Sequence, residues 1–117
     1  MGMNARRPDA MIAATSPLFL TRAKEITAQV ARLRLPAIYA RREFAEAGGL
    51  MSYGYDVADG YRHMGLYAGR ILKGDKPADL PVFQPTKFQF VINLKAAKAL
   101  DLEIPAKLLA LSDEVIE

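Results

Sequence analysis

Short apolar runs alternate along this chain with stretches whose apolar residues recur every three or four positions, and that alternation constrains the fold more than any other feature. Asp9-Ala-Met-Ile-Ala-Ala14 is a continuous apolar run, of the kind a strand shows when both its faces are buried. Thr15-Ser16-Pro17 breaks it. Phe19, Ala23, Ile26, Val30 and Leu33 then mark one face of an amphipathic helix, which Leu35-Pro36 ends because the residue before proline leaves helical geometry. Residues 36–40 predict a second strand, 41–47 a short helix stopped by Gly48-Gly49, and 50–53 a third strand closed by Gly54. Asp56 or Asp59 can cap the next helix, in which Tyr61, Met64, Ala68, Ile71 and Leu72 share a face and which Gly74 ends. Residues 75–81 are turn material.

The clearest period-two pattern is Phe88, Phe90, Ile92 and Leu94 alternating with Gln89, Val91 and Asn93, which predicts a strand. Asn93 can cap a short helix to about Leu100, and Pro105 sits where a last helix would begin. The tail, 112–117, is expected to fray. Strand and helix in alternation make an α/β fold: a mostly parallel sheet with flanking helices.

Composition excludes several functions. The chain has no cysteine, so disulfides and thiolate metal sites are out. Its net charge of +3 is spread over scattered lysines and arginines with acids between them, whereas a nucleic-acid surface concentrates basic residues on one face, so no nucleic-acid partner is expected. No apolar run reaches the length of a membrane span. The run 10–14 is shorter than the apolar core of a secretory signal, so no export signal is read in the chain.

In an open α/β sheet, ligands gather at the carboxyl ends of the strands. Three such places stand out. At Thr15 and Ser16, hydroxyls and backbone N–H groups could hold an anion, or Ser16 could simply cap a helix. At Tyr39 to Glu43, an arginine (Arg41 or Arg42) could clamp a carboxylate and Glu43 could accept from an amine or hydroxyl, or these could be a surface ion pair beside a core tyrosine. At Tyr53 and Gly54, ring and close-approaching backbone suit a pocket wall, or the segment could be core packing. Catalytic signals are weak. His63 is the one histidine, no G-x-S-x-G turn aims Ser16 or Ser52, and neither a phosphate loop nor a metal-spaced cluster occurs. No enzyme activity, metal or cofactor is expected.

Several motifs in order resemble one family. They are Leu35-Pro-Ala-Ile-Tyr39 with Arg42-Glu-Phe44, Glu46-Ala-Gly-Gly-Leu-Met-Ser-Tyr-Gly54, Arg70-Ile-Leu-Lys-Gly74 with Pro77-Ala-Asp-Leu-Pro81, and Pro85-Thr-Lys-Phe-Gln-Phe-Val-Ile-Asn-Leu-Lys95. Together, from about residue 8 to the end, they resemble the C-terminal part of the tryptophan/tyrosine-type ABC-transporter substrate-binding proteins.

The resemblance implies a type I periplasmic-binding fold whose two lobes trap a small solute, an aromatic amino acid or an organic anion, and deliver it to an ABC permease in the periplasm without cofactor or covalent chemistry. It implies a ligand-binding set of Thr15, Ser16, Tyr39, Glu43, Tyr53 and Gly54. Residues 1–8 would be a fraying N-terminus, and 9–117 a partial domain: the second lobe, with residues 57–74 as a crossover helix belonging to the first. The family often carries Ser-Asp-Pro where Thr15-Ser16-Pro17 stands, which removes a carboxylate able to meet a ligand amine. With the N-terminal lobe lacking, the chain is expected to self-associate through the helix 61–72 or a sheet edge. A stand-alone interaction or sensory module of the same fold is the alternative, cytoplasmic if this is the natural full length.

Overall fold

A computed structural model describes residues 6–117. The strands are β1 (Met11–Ala13), β2 (Ala37–Tyr39), β3 (Met51–Tyr55), β4 (Phe88–Asn93) and β5 (Glu114–Ile116). The helices are α1 (Pro17–Thr21), α2 (Ala23–Arg32), α3 (Arg42–Glu46), α4 (Val57–Leu72), α5 (Leu94–Ala99) and α6 (Ala106–Leu111). The strands form one five-stranded sheet in the order β1-β2-β3-β4-β5. β1, β2 and β3 run parallel, as do β4 and β5. Between β3 and β4 the chain reverses. Asn93 N–H donates to Leu50 O and Asp56 N–H to Lys87 O, both at 2.8 Å, so numbering climbs on one strand as it falls on the other. The sheet is therefore mostly parallel with flanking helices, as the alternation predicts.

By its contacts the chain divides into two compact units, Met1–Gly54 with Gln89–Glu117, and Tyr55–Phe88. The first unit holds the core. Met11, Ala13, Ala37 and Tyr39 point to one face of the sheet, where Ala23 and Val30 of α2 and Phe44 of α3 pack on them with Leu35. Thr27, polar and buried, fits this apolar stripe because its hydroxyl donates to Ala23 O (2.9 Å) and lies 3.1 Å from Ala47 O, tying α2 to the end of α3. Asn93 caps α5 and Asp56 caps α4, each accepting from the backbone N–H three residues on. Gly48 and Gly74 take φ of +112°, the left-handed turn that ends a helix.

Three readings are corrected. The single helix expected over 19–33 is two, because the backbone at Arg22 leaves helical values (φ −112°, ψ 23°). β1 is not buried on both faces. It is an edge strand, and Ile12, in row with Ile38 and Met51, is 85% exposed. The tail does not fray. Asp113 bonds Phe90 through both its backbone N–H (2.8 Å, to Phe90 O) and its carboxylate (2.7 Å, from Phe90 N–H), which starts β5 alongside β4. The fraying expected over 1–8 falls partly on residues outside those described, and Arg7 is held by a hydrogen bond from its guanidinium to Leu33 O.

Candidate functional site

Register decides which side chains share an edge. Ala13 pairs with Tyr39 and Tyr39 with Ser52, so β1 and β2 end in one row and β3 runs past it to Tyr55. Thr15-Ser16 and Ala40 to Glu43 therefore leave the sheet along a single edge, the carboxyl-end edge where α/β folds bind ligands, with Tyr53-Gly54 in the overhanging end of β3 beside them. The three places singled out in the sequence are neighbours in the first unit.

Their side chains are not equally available. Thr15 is exposed and Ser16 half-buried. Ser16 stands at the cap position of α1, but its side chain makes no capping bond. Tyr39 does not offer its polar tip to the edge. It is 2% exposed and its ring stacks on Phe44, centroids 4.9 Å apart and nearly parallel. Its ring edge lies against Gly49, where an added Cβ would meet Cε2 at 2.6 Å. Burial raises the Tyr39 phenol above its ordinary pKa, so it stays neutral. Tyr39 is thus part of the buried core, its ring directed toward Gly49 ahead of β3.

Neither arginine at the second tip stands as an open clamp. Arg41 grips Glu43 through two bonds, Nη2 to Oε1 at 2.6 Å and Nε to Oε2 at 3.2 Å. Arg42 holds Glu46 and Glu114, both at 2.8 Å. Burial pushes the Glu43 carboxyl upward. The hydrogen bonds from Arg41 and from its own backbone N–H, with the charges of Arg41 and Arg42, outweigh that and leave it below its ordinary value. Glu43 borders an open depression of about 400 Å³ with Arg22, Lys24 and Glu25 at the start of α2.

At the third tip, Tyr53 is 55% exposed and meets Phe90 edge-to-face at 6.2 Å. Phe90 was not among the residues singled out. Its parity with Phe88 was readable, but placing it beside Tyr53 needs the antiparallel pairing of β3 with β4. Gly54 is required by contact: a Cβ there would stand 1.9 Å from Ala40 O, so only bare backbone lets the second and third tips close up. Ser52 is buried, and among the described residues its hydroxyl has no hydrogen-bond partner.

A second cavity, about 100 Å³, lies among Val30, Leu35, Leu50 and Ala99. Leu35 and Leu50 precede their strands, so it lies toward the opposite edge from the tips, and the buried Tyr39 also lines it. His63 stacks on Phe83 at 3.9 Å and lies 3.7 Å from Asp59, while Ser16 and Ser52 belong to the other unit. Among the described residues no group of three acidic or histidine side chains could hold a metal, and no helix is long and apolar enough to cross a membrane.

Three solved structures share this fold. A conserved domain protein from Vibrio cholerae matches with a TM-score of 0.86 and 24% identity over 93% of this chain and 37% of its own. An ABC domain in complex with L-Trp from Streptococcus pneumonia matches with 0.86 and 28% over 94% of this chain and 37% of its own. The ligand-free, open form of a substrate-binding protein with adhesive properties from Clostridium difficile matches with 0.68 and 21% over 99% and 39%. The chain thus spans well under half the length of each. No curated protein matches it. The sequence model of one family matches residues 4–116, nearly the whole chain, and by that match the chain belongs to the ABC transporter substrate-binding protein family.

Proposed function

We propose that this chain forms one wall of a solute site and serves ABC transport by capturing a small molecule rather than transforming one. The observation that carries this is the row Ala13–Tyr39–Ser52, which brings Thr15, Ser16, Glu43, Tyr53 and Gly54 to one edge. Tyr53 with Phe90 behind it is an aromatic wall, suited to a flat ring. Thr15 and Ser16 supply hydroxyls for a polar end. Tyr39, buried against Phe44 and Gly49, takes no part in the wall. The L-Trp complex of the Streptococcus relative supports an aromatic amino acid as the ligand class, with small organic anions next. The site would work outside the cytoplasm and hand its solute to an ABC permease.

Isothermal titration with L-tryptophan, L-tyrosine and a small aromatic carboxylate tests this. The expected result is saturable binding of at least one, weakened about tenfold or more by Tyr53→Ala, in line with the loss of one ring contact. Binding unchanged in Tyr53→Ala, or absent for all three ligands, would overturn the reading.

A further inference from the structure

The Arg41–Glu43 fork occupies the strand-tip edge itself. Gly54, next to Tyr53, approaches Ala40 O so closely that an added Cβ would stand 1.9 Å from it. The residue after Ala40 therefore leaves β2 directly beside the end of β3 that carries Tyr53. That residue is Arg41, at the cap position of α3. Arg42, one further on, reaches away to Glu46 and to Glu114 on β5 and so joins α3 to the sheet. The Arg41–Glu43 fork instead ties together two residues of a single tip, and opening it parts no two elements of the fold.

The two halves of the fork differ in access. The Arg41 side chain is 16% exposed and that of Glu43 is 40% exposed, so the guanidinium is lodged in the edge and the carboxylate is the half that can leave. Glu43 also borders the open depression of about 400 Å³ with Thr21, Lys24 and Ala47, which gives it room to turn. The two N–H groups that it takes, Nε and Nη2 of Arg41, make the planar fork that any carboxylate fits. Held below its ordinary pKa by Arg41 against the effect of burial, Glu43 is ionised at neutral pH and can accept from a cation.

We infer that a solute bearing a carboxylate and an ammonium on one carbon opens this fork by exchange: its carboxylate takes the place of Glu43 on Arg41, and Glu43 turns to its ammonium. The inference rests on the strand-tip reading above and narrows it to a zwitterionic α-amino acid. Exchange replaces one internal ion pair by two and leaves no charge without a partner. A solute with a carboxylate alone must displace Glu43 and leave it unpaired beside a second negative charge. A solute with an ammonium alone must share Glu43 with Arg41 and sets its charge against the guanidinium. The closed fork thus discriminates against ligands that carry only one of the two charges.

Calorimetric titration at pH 7 with three solutes that share one ring tests this. They are L-tryptophan, indole-3-propionate, which lacks the ammonium, and tryptamine, which lacks the carboxylate. L-Tryptophan is expected to bind about tenfold or more tightly than either, the scale of one charge-assisted contact. Glu43→Gln should weaken L-tryptophan and tryptamine while indole-3-propionate binds as well as before or better. Arg41→Gln should weaken L-tryptophan and indole-3-propionate while sparing tryptamine. Circular dichroism confirms the fold of both variants, and a change that merely loosened the edge would weaken all three solutes alike. Equal affinity of the three for the parent chain, or a uniform loss in both variants, would overturn the exchange and leave the aromatic wall standing if Tyr53→Ala still weakens them. Binding of none of the three would remove the solute site and the exchange with it.

Discussion

Asn93 donates from its side-chain amide to Ala45 O at 2.9 Å, joining the end of β4 to α3 across 48 residues of sequence. Its carbonyl oxygen accepts from Ala96 N–H at 3.1 Å, so one buried side chain both caps α5 and closes α3 against the sheet. Asn93→Ala removes both bonds and leaves a donor and an acceptor unanswered away from water. The expected loss is about 3 kcal/mol, read from urea unfolding midpoints at constant m-value. Asn93→Asp keeps the acceptor for Ala96 but sets a carboxylate toward the Ala45 carbonyl. It should be destabilised at neutral pH and recover part of the loss when acidified, as the carboxyl regains a donor.

Glycines in this chain divide by what surrounds them. At Gly54 a methyl group would stand 1.9 Å from Ala40 O, a backbone atom that can yield only if the β2 and β3 tips part. At Gly60, inside α4, the same methyl meets nothing within 4 Å. Gly54→Ala should therefore lower the melting temperature sharply and weaken solute binding, because it disturbs the row of tips. Gly60→Ala should raise stability by about 0.5–1 kcal/mol through the helix preference for alanine. Thermal unfolding of the two variants side by side decides the matter, and a tolerated Gly54→Ala would mean the close approach is not required.

Local chemistry was legible and pairing was not. Asp56 and Asn93 as caps, and Gly48 and Gly74 as helix stops, follow from short-range rules that act within four residues. β5 could not be read, since three residues show no period and their pairing is anchored by Asp113 on Phe90, 23 residues away. The same limit applies to the site. That three strand ends meet at one edge follows from parallel topology, so Thr15, Glu43 and Tyr53 could be proposed together. Which side chain faces outward depends on register and packing, and so Tyr39 proved to lie under Phe44 while Phe90 came to stand beside Tyr53.

Tyr39 and Ser52 are register partners, and each carries a buried oxygen with no hydrogen-bond partner among the described residues. A hydroxyl taken from water without replacement is a cost that deletion relieves. Ser52→Ala removes it with almost no change of shape and should be neutral or stabilising by up to about 1 kcal/mol. Tyr39→Phe keeps the stack on Phe44 and should behave likewise. A loss of more than about 1 kcal/mol in either variant, by urea unfolding, would show that the hydroxyl is satisfied in solution.

Acid should loosen the second strand tip before the rest of the sheet. Burial works to raise the Glu43 carboxyl, but the Arg41 fork and neighbouring charge hold it below its ordinary 4.5 in the folded chain. A folded-state value below the unfolded one means the unfolded chain binds the proton more readily. The contribution is therefore complete above pH 4.5 and falls away as the pH drops through the folded-state value. Glu43→Gln cannot titrate, so its stability should decline less steeply than that of the parent chain between about pH 5 and pH 3. Because the carboxylate is partly open to solvent, the difference should be small and should shrink in high salt. Arg41→Ala should flatten the same limb from the other side, returning Glu43 toward its ordinary value. Unfolding midpoints for the three proteins at pH 7, 4.5 and 3 measure this, and parallel curves for parent and Glu43→Gln would show that the Arg41–Glu43 fork does not hold in solution.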